Sequence, residues 1–175
     1  MPAHRPQLTI APVTERDLPE LLPLMRDYCA FYAVSPAPSA LGALSLALIS
    51  DPDRHGLQLI ARPAAGAPLG FATLFWTWDT LAAGEIAVMN DLYVVPAARG
   101  GGVGRALVDA CSALCRARGV ARMDWQTAPD NERAQRLYDT LGAEREDAVV
   151  YALTLARLQP AVTRGRSSGG PGARG

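Results

Sequence analysis

The chain has 175 residues, about one domain's worth, and its 17 basic groups balance 17 acidic ones. Every basic group is Arg, and the absence of Lys excludes Schiff-base chemistry and the lysine of a nucleotide-binding phosphate loop. Balanced charge argues against a chain held on nucleic acid or anionic lipid by bulk charge, and no apolar run nears the roughly 20 residues of a membrane span.

Residues 1–10 lack the charged-then-apolar pattern of a secretion signal. Residues 8–13 (LTIAPV) predict a first strand. Thr14, followed by Glu15, Arg16 and Asp17, is a capping-box pattern, and Leu18, Leu21, Leu22, Met25, Tyr28, Cys29 and Tyr32 recur at helical spacing. Pro19 is early enough to be tolerated, whereas Pro23 is expected to bend or break the helix. After a linker at 33–38, Ser39 is expected to cap a second helix over about 40–50, ended by Asp51-Pro52. Leu57–Arg62 and Leu69–Trp78, on either side of an Ala-Ala-Gly-Ala turn, read as a hairpin, and Gly84–Val95 as a third strand of the group. The Gly-rich loop Ala97–Gly104 follows. Then Val103, Ala106, Leu107, Ala110, Cys111, Leu114 and Cys115 mark the strongest helix of the chain, stopped by Gly119. A strand over Val120–Thr127, a helix over Asp130–Leu141 closed by Gly142, and short strands near 143–146 and 148–155 complete the prediction.

The last 16 residues, 160–175, are rich in Gly, Ser, Pro and Arg without an apolar face and are expected to be a disordered tail after a single domain at 1–159. Cys29, Cys111 and Cys115 are an odd set without a disulfide framework, which fits a reduced, cytoplasmic location. Cys111 and Cys115 read as buried helix thiols, and no metal site is expected. His4 and His55 lie in polar or Gly/Pro-containing segments, which makes a catalytic histidine a poor reading of either.

The chemistry concentrates at Asp91-Leu-Tyr-Val-Val-Pro-Ala-Ala-Arg99-Gly-Gly-Gly102-Val-Gly104-Arg105, where a strand enters a glycine turn and then a helix. The first amides of a helix have no internal partners and its dipole there favours negative charge, so Arg99–Arg105 reads as a diphosphate cradle. A dinucleotide fingerprint would need Gly where Leu107 stands, and Arg105-Ala106 breaks a mononucleotide loop. What remains is Arg-x-x-Gly-x-Gly.

This segment resembles the acyl-coenzyme A loop of the GCN5-related N-acetyltransferase superfamily. Asp130-Asn131-Glu-Arg-Ala134-Gln-Arg-Leu137-Tyr138-Asp-Thr-Leu-Gly142 resembles its second element. Gly70-Phe-Ala, Phe75-Trp-Thr-Trp-Asp79 and Asn90-Asp91-Leu-Tyr-Val are similar to the polyamine and yeast histone-and-polyamine acetyltransferase group, which usually carries Leu-Glu-Asp where this chain has Met89-Asn90-Asp91. The resemblance implies an α/β fold: a mixed, mostly antiparallel twisted sheet of about six or seven strands flanked by about four helices.

It further implies a cytoplasmic, homodimeric enzyme that moves an acetyl group from acetyl-coenzyme A to a primary amine, on a small molecule or a protein, without nucleic acid, membrane or metal. Backbone groups of Leu92, Tyr93 and Val94 would hold the pantetheine arm, and Arg99, Gly100, Gly101, Gly102, Val103, Gly104 and Arg105 the diphosphate. Asn131 would either lie near the arm or cap the last helix. Tyr138 matches the usual general acid; its ordinary pKa of about 10 lies near that of a thiol. Asp91 is the candidate base, directly or through water, or else a structural partner of the loop. Glu85, six residues earlier, shares its face in a regular strand and loses it if a bulge intervenes. Asn90, Trp76, Trp78, Asp79 and Tyr32 are acceptor-site candidates, aromatics with a carboxylate being suited to a cation, with Asp51 and Asp53 as a possible acidic rim. Neutral Asn90 also favours an alternative, a catalytically impaired acyl-coenzyme A binding or sensing module.

Overall fold

Alternating apolar residues become strands once each has a hydrogen-bonded neighbour. In the computed structural model, which describes residues 8–153, β1 (Leu8–Pro12), β2 (Gly56–Pro63), β3 (Gly70–Asp79) and β4 (Gly84–Val94) pair antiparallel in that order. β5 (Met123–Asp124) joins parallel to β4 through only Ala87–Met123 and Val88–Asp124. The sheet therefore has five strands among the described residues, fewer than the six or seven expected.

The helices are α1 (Leu18–Phe31), α2 (Pro38–Ser50), the one-turn α3 (Pro52–His55), α4 (Val103–Arg118) and α5 (Glu132–Thr140). The strand period sorts the core into two layers. Ile60, Phe71 and Tyr93 face Leu21, Leu24 and Met25 of α1 and Leu41 of α2. Leu59, Ala61, Ala72, Leu74, Ala87 and Met89 face Val103, Leu107, Val108, Cys111 and Cys115 of α4, with Tyr138 and Leu141 packed at the margin. Cys111 and Cys115 are buried, and burial pushes the Cys111 thiol up to about 12, so it behaves as an apolar side chain.

Several local expectations are corrected. α1 runs on through Pro23, because burial of Leu21, Leu24 and Met25 secures the helix on both sides of the missing amide. The capping box forms, with the Thr14 amide donating to Asp17 Oδ2 at 2.7 Å, but it opens a 3₁₀ turn over Glu15–Asp17 before α1 begins. α2 starts at Pro38 with Ala37 as its cap, not at Ser39; proline's fixed φ suits a first helical position. The strand expected over 120–127 shortens to two residues, since β4 offers β5 no more than that.

A second unit begins at Glu144. Its described residues, 144–153, form no strand, and Val149, Val150, Tyr151 and Leu153 are exposed. The strands expected near 143–146 and 148–155 are therefore not formed among the described residues: an apolar pattern specifies a strand's faces but does not supply its ladder partner. The predicted tail, 160–175, lies outside the described residues.

Candidate active site

The glycine loop opens α4 without a side-chain cap. Gly102 is the N-cap at φ 88°, Gly100 sits at φ 89°, and no acidic residue occupies the first turn. The left-handed conformation is what requires glycine at both positions. A Cβ on Gly102 would meet nothing within 4 Å, so the space before the helix is open. A cavity of about 330 Å³ lies there, lined by Leu8, Gly101, Gly102, Val103, Arg105, Ala106 and Asp109. The Ala106 amide already donates to Gly102 O, whereas those of Val103, Gly104 and Arg105 precede the first helical bond. Gly104 serves packing: a Cβ there would stand 3.3 Å from Leu137 Cδ2, so its absence lets α5 approach α4.

The arginines contribute unequally. Arg99 Nε donates to the Val94 carbonyl at 2.9 Å and its guanidinium lies 5.8 Å from the Tyr93 ring, which turns it to the strand and away from the helix start. Arg105 Nη1 donates to Thr140 O and Nε pairs with Asp109 at 3.6 Å, leaving the Arg105 amide as its contribution to the loop. Arg133 is the basic residue that sequence reasoning missed: its Nη2 is 3.6 Å from the position of a Cβ at Gly100. The signal was available, since Arg133 stands in the first turn of the helix opened by Asn131, whose Oδ1 accepts from the Ala134 amide at 3.2 Å.

Beside the loop, β4 has an open edge. Val95 N donates to Leu69 O on the β3 side, so alternation turns the backbone groups of Leu92 and Val94 the other way, and those of Asp91 and Tyr93 toward β3. Past Val88, among the described residues, no strand pairs with that edge, though Arg99 Nε occupies the Val94 carbonyl and leaves its amide. A bulge between Thr73 and Leu74 leaves Asn90 as the extra residue, with Asp91 opposite Thr73 and Met89 opposite Leu74. The bulge resolves the placement of the two acids. Glu85 stays on the α4 face, where Arg118 Nε donates to it at 2.7 Å, and Asp91 is turned to the α1 face.

On that face Asn90 Nδ2 donates to Asp91 Oδ1 at 2.9 Å, and the Tyr28 hydroxyl approaches the Asn90 carbonyl at 3.5 Å while also meeting the Asp91 carboxylate. Burial and the Asp91 charge hold the Tyr28 phenol protonated far above its ordinary range, so it serves as a donor. Tyr28 stacks edge-on against Tyr32 at 5.1 Å, and Tyr32 against Phe31 at 5.1 Å. The end of α1 is a Schellman turn, with Val34 N donating to Cys29 O and Ala33 at φ 54°, a left-handed conformation that costs a non-glycine residue about 1 kcal/mol. Tyr138, edge-on to Trp125 at 5.3 Å, is pushed up to about 12 by burial and by neighbouring Tyr32. Tyr138 packs at the margin of the α4 layer and is close enough to Tyr32 for its charge to be felt.

Tyr138, Tyr32, Asn90 and Asp91 are thus brought into one region, with Tyr28 added. The other acceptor candidates are not. Trp78 pairs with Glu85 five residues beyond Thr73, about 16 Å along the strand, and is 79% exposed. Asp79 Oδ1 accepts from the amides of Leu81 and Ala82 in the hairpin turn. Trp76 Nε1 donates to Pro52 O at 2.8 Å, and its ring lies under the Arg118 guanidinium at 4.6 Å. Asp51 caps α3 through the Arg54 amide, and Asp53 pairs with Arg118 at 3.7 Å. Beneath Asp91 a polar row crosses three strands, Gln58 Nε2 donating to Thr73 Oγ1 at 3.2 Å, with Gln58 Oε1 buried and unpartnered among the described residues.

A sheet parted beside a glycine-opened helix is what the resemblance to the acetyltransferases led one to expect. Residues 21–143 match the Acetyltransferase (GNAT) family, and the chain belongs to that family. It is 28% identical over 135 residues to the uncharacterised N-acetyltransferase YhfO of Bacillus subtilis, covering 77% of this chain and 89% of that one. It is 37% identical over 86 residues to the D-amino-acid N-acetyltransferase HPA3 of Saccharomyces cerevisiae, covering 49% of this chain and 53% of that one. The fold is shared with the aminoglycoside N-acetyltransferase AAC(6')-Iy, solved in complex with CoA, at a TM-score of 0.75 and 18% identity over 89% of this chain and all of the other.

Proposed function

We propose that the chain acetylates a primary amine by direct attack in a ternary complex with acetyl-coenzyme A. The observation that carries this is the open edge of β4 running into the uncapped N-terminus of α4. The residues present fit the coenzyme. The space before Gly102 is open, the first amides of α4 are placed for a diphosphate, Arg133 adds positive charge beside Gly100, and the edge-facing groups of Leu92 and Val94 can bond amides laid alongside as a further strand. Bound there, acetyl-coenzyme A supplies a thioester open to attack by nitrogen.

The side chains then divide two proton tasks. Asp91, braced by Asn90 and Tyr28, holds the acceptor ammonium and takes its proton, directly or through water. Tyr138 stays protonated across the working range, because burial raises its pKa; that also makes it a weaker acid than the thiol, so it serves as a hydrogen-bond donor to the departing sulfur and passes the proton on as the acceptor nitrogen releases one. An edge-facing amide of β4 polarises the carbonyl under attack. The homodimer and the cytoplasmic location belong to the same proposal.

The neutral Asn90 favours a second reading, an acyl-coenzyme A binding module without transfer. Calorimetric titration with acetyl-coenzyme A, with adenosine diphosphate as control, tests the site; thiol release across an amine panel separates the readings. Micromolar binding with amine-dependent release is expected. Binding without release to any amine favours the second reading, and no binding at tens of micromolar overturns both.

A further inference from the structure

The acceptor side has a chemical character that acetyl transfer by itself does not specify. Its polar group is the Asp91 carboxylate, and its walls are rings. Phe31, Tyr32 and Tyr28 run edge to face from the rim inward, and Phe31, Tyr32 and Val34 are 58, 45 and 52% exposed. Three large apolar side chains presented at the mouth of a site are an unpaired surface for an apolar ligand.

Other acids are held away from this region: Glu85 and Asp53 by Arg118, Asp79 by the hairpin turn and Asp51 by α3. Asp27 is exposed on α1, on the Tyr93 side. Position 90, beside Asp91, is a neutral amide that donates to the carboxylate. Among the described residues, Asp91 is the carboxylate that meets the inner ring, Tyr28. A polycation gains most from several carboxylates at its charge spacing, and directly beside Asp91 it would meet the neutral amide of Asn90.

We infer that the acceptor is a primary amine with a single positive charge on an apolar, ring-bearing body. Asp91 takes the ammonium, and Tyr32 and Phe31 take the body by ring stacking, with Tyr28 closing the inner wall. This rests on the acetyl-transfer reading above. The balance of the step is simple: an N–C bond forms and the C–S bond breaks. Of the two protons lost by the ammonium nitrogen, one leaves through Asp91 to solvent, and the other balances the one Tyr138 gives to the coenzyme sulfur.

The test measures free-thiol release by the full chain with acetyl-coenzyme A and 2-phenylethylamine, propylamine or spermidine. The expected result is a kcat/KM for 2-phenylethylamine at least about tenfold above the other two. Tyr32→Ala, at a half-exposed position that does not carry the core, is expected to bring 2-phenylethylamine and propylamine near parity by raising KM for the former, and Tyr32→Phe to retain the preference. Preference for spermidine, or an undiminished aromatic preference in Tyr32→Ala, overturns the inference and leaves acetyl transfer standing. Acetyl-coenzyme A binding without thiol release to any of the three overturns acetyl transfer and the inference with it.

Discussion

The cofactor side and the acceptor side of this site are built in different ways. The proposed cradle is built mainly from one contiguous stretch, residues 99–105, and mainly from backbone: two glycines at positive φ and the leading amides of one helix, with Arg133 beside Gly100. The proposed acceptor side draws on three distant segments, Tyr28 of α1 with Tyr32 at its end, Asn90 and Asp91 at the β4 bulge, and Tyr138 of α5, and would work through side chains. A backbone cradle asks only for a phosphate and is indifferent to what else the ligand carries. A side-chain pocket selects by charge and shape, so it is the part free to differ between proteins of one fold.

The two halves should separate under substitution. The largest expected effect is Gly102→Glu, which sets a carboxylate in the anion site and a side chain at φ 88°. Acetyl-coenzyme A affinity should fall at least about a hundredfold in calorimetry while the circular dichroism spectrum is kept, since a Cβ there meets nothing. Tyr138→Phe should lower kcat by about 10² or more and leave coenzyme affinity within about twofold, an outcome that puts the phenol in chemistry and not in binding. Asp91→Asn should raise the amine KM about tenfold and lower kcat, since it removes both the charge and the base, without weakening the coenzyme; a matching loss of coenzyme affinity would place Asp91 in the cradle's support instead.

Smaller effects mark the scaffold between the halves. Arg118→Ala removes the guanidinium from Trp76, Glu85 and Asp53, and should lower Tm by a few degrees with kcat/KM unchanged. Loss of activity in that variant would bring the Trp76 end of the hairpin back into the site. The smallest effect is confined to alkali. Burial raises Cys111 from 9.0 and Tyr138 from 10.0, each to about 12, so the folded state keeps protons that the unfolded chain releases. Their contribution is fully present below about pH 9 and is lost as pH rises toward 12. Cys111→Ala should flatten the slope of unfolding free energy against pH over that interval in denaturant titrations.

Local chemistry made the helix ends around the glycine loop readable before any coordinates. Gly102 before an apolar helix, Gly119 after it and Asn131 three residues before Ala134 each act within a few residues of themselves, and the structure places each where the pattern put it. Trp76 and Asp79 show the limit of such reading. An indole and a carboxylate near a strand end suit a cation pocket equally well as a proline carbonyl contact and a turn, and nothing within ten residues distinguishes those uses. Arg99 and Arg105 sit in the loop by sequence, yet their guanidinium groups turn to Val94 and Thr140 because those carbonyls lie within reach in space.

The sequence by itself determined the helices, the antiparallel hairpins and the glycine loop, because propensity, capping and periodicity are near-neighbour effects. Only the tertiary structure decided that Asn90 would be the extra residue of a bulge, that Asp91 would therefore turn from Glu85 toward Tyr28, and that β4 and β5 would part after two residue pairs. A bulge is a property of two paired strands and an open edge is a property of a strand and its missing neighbour, so neither is carried by a single segment of the chain.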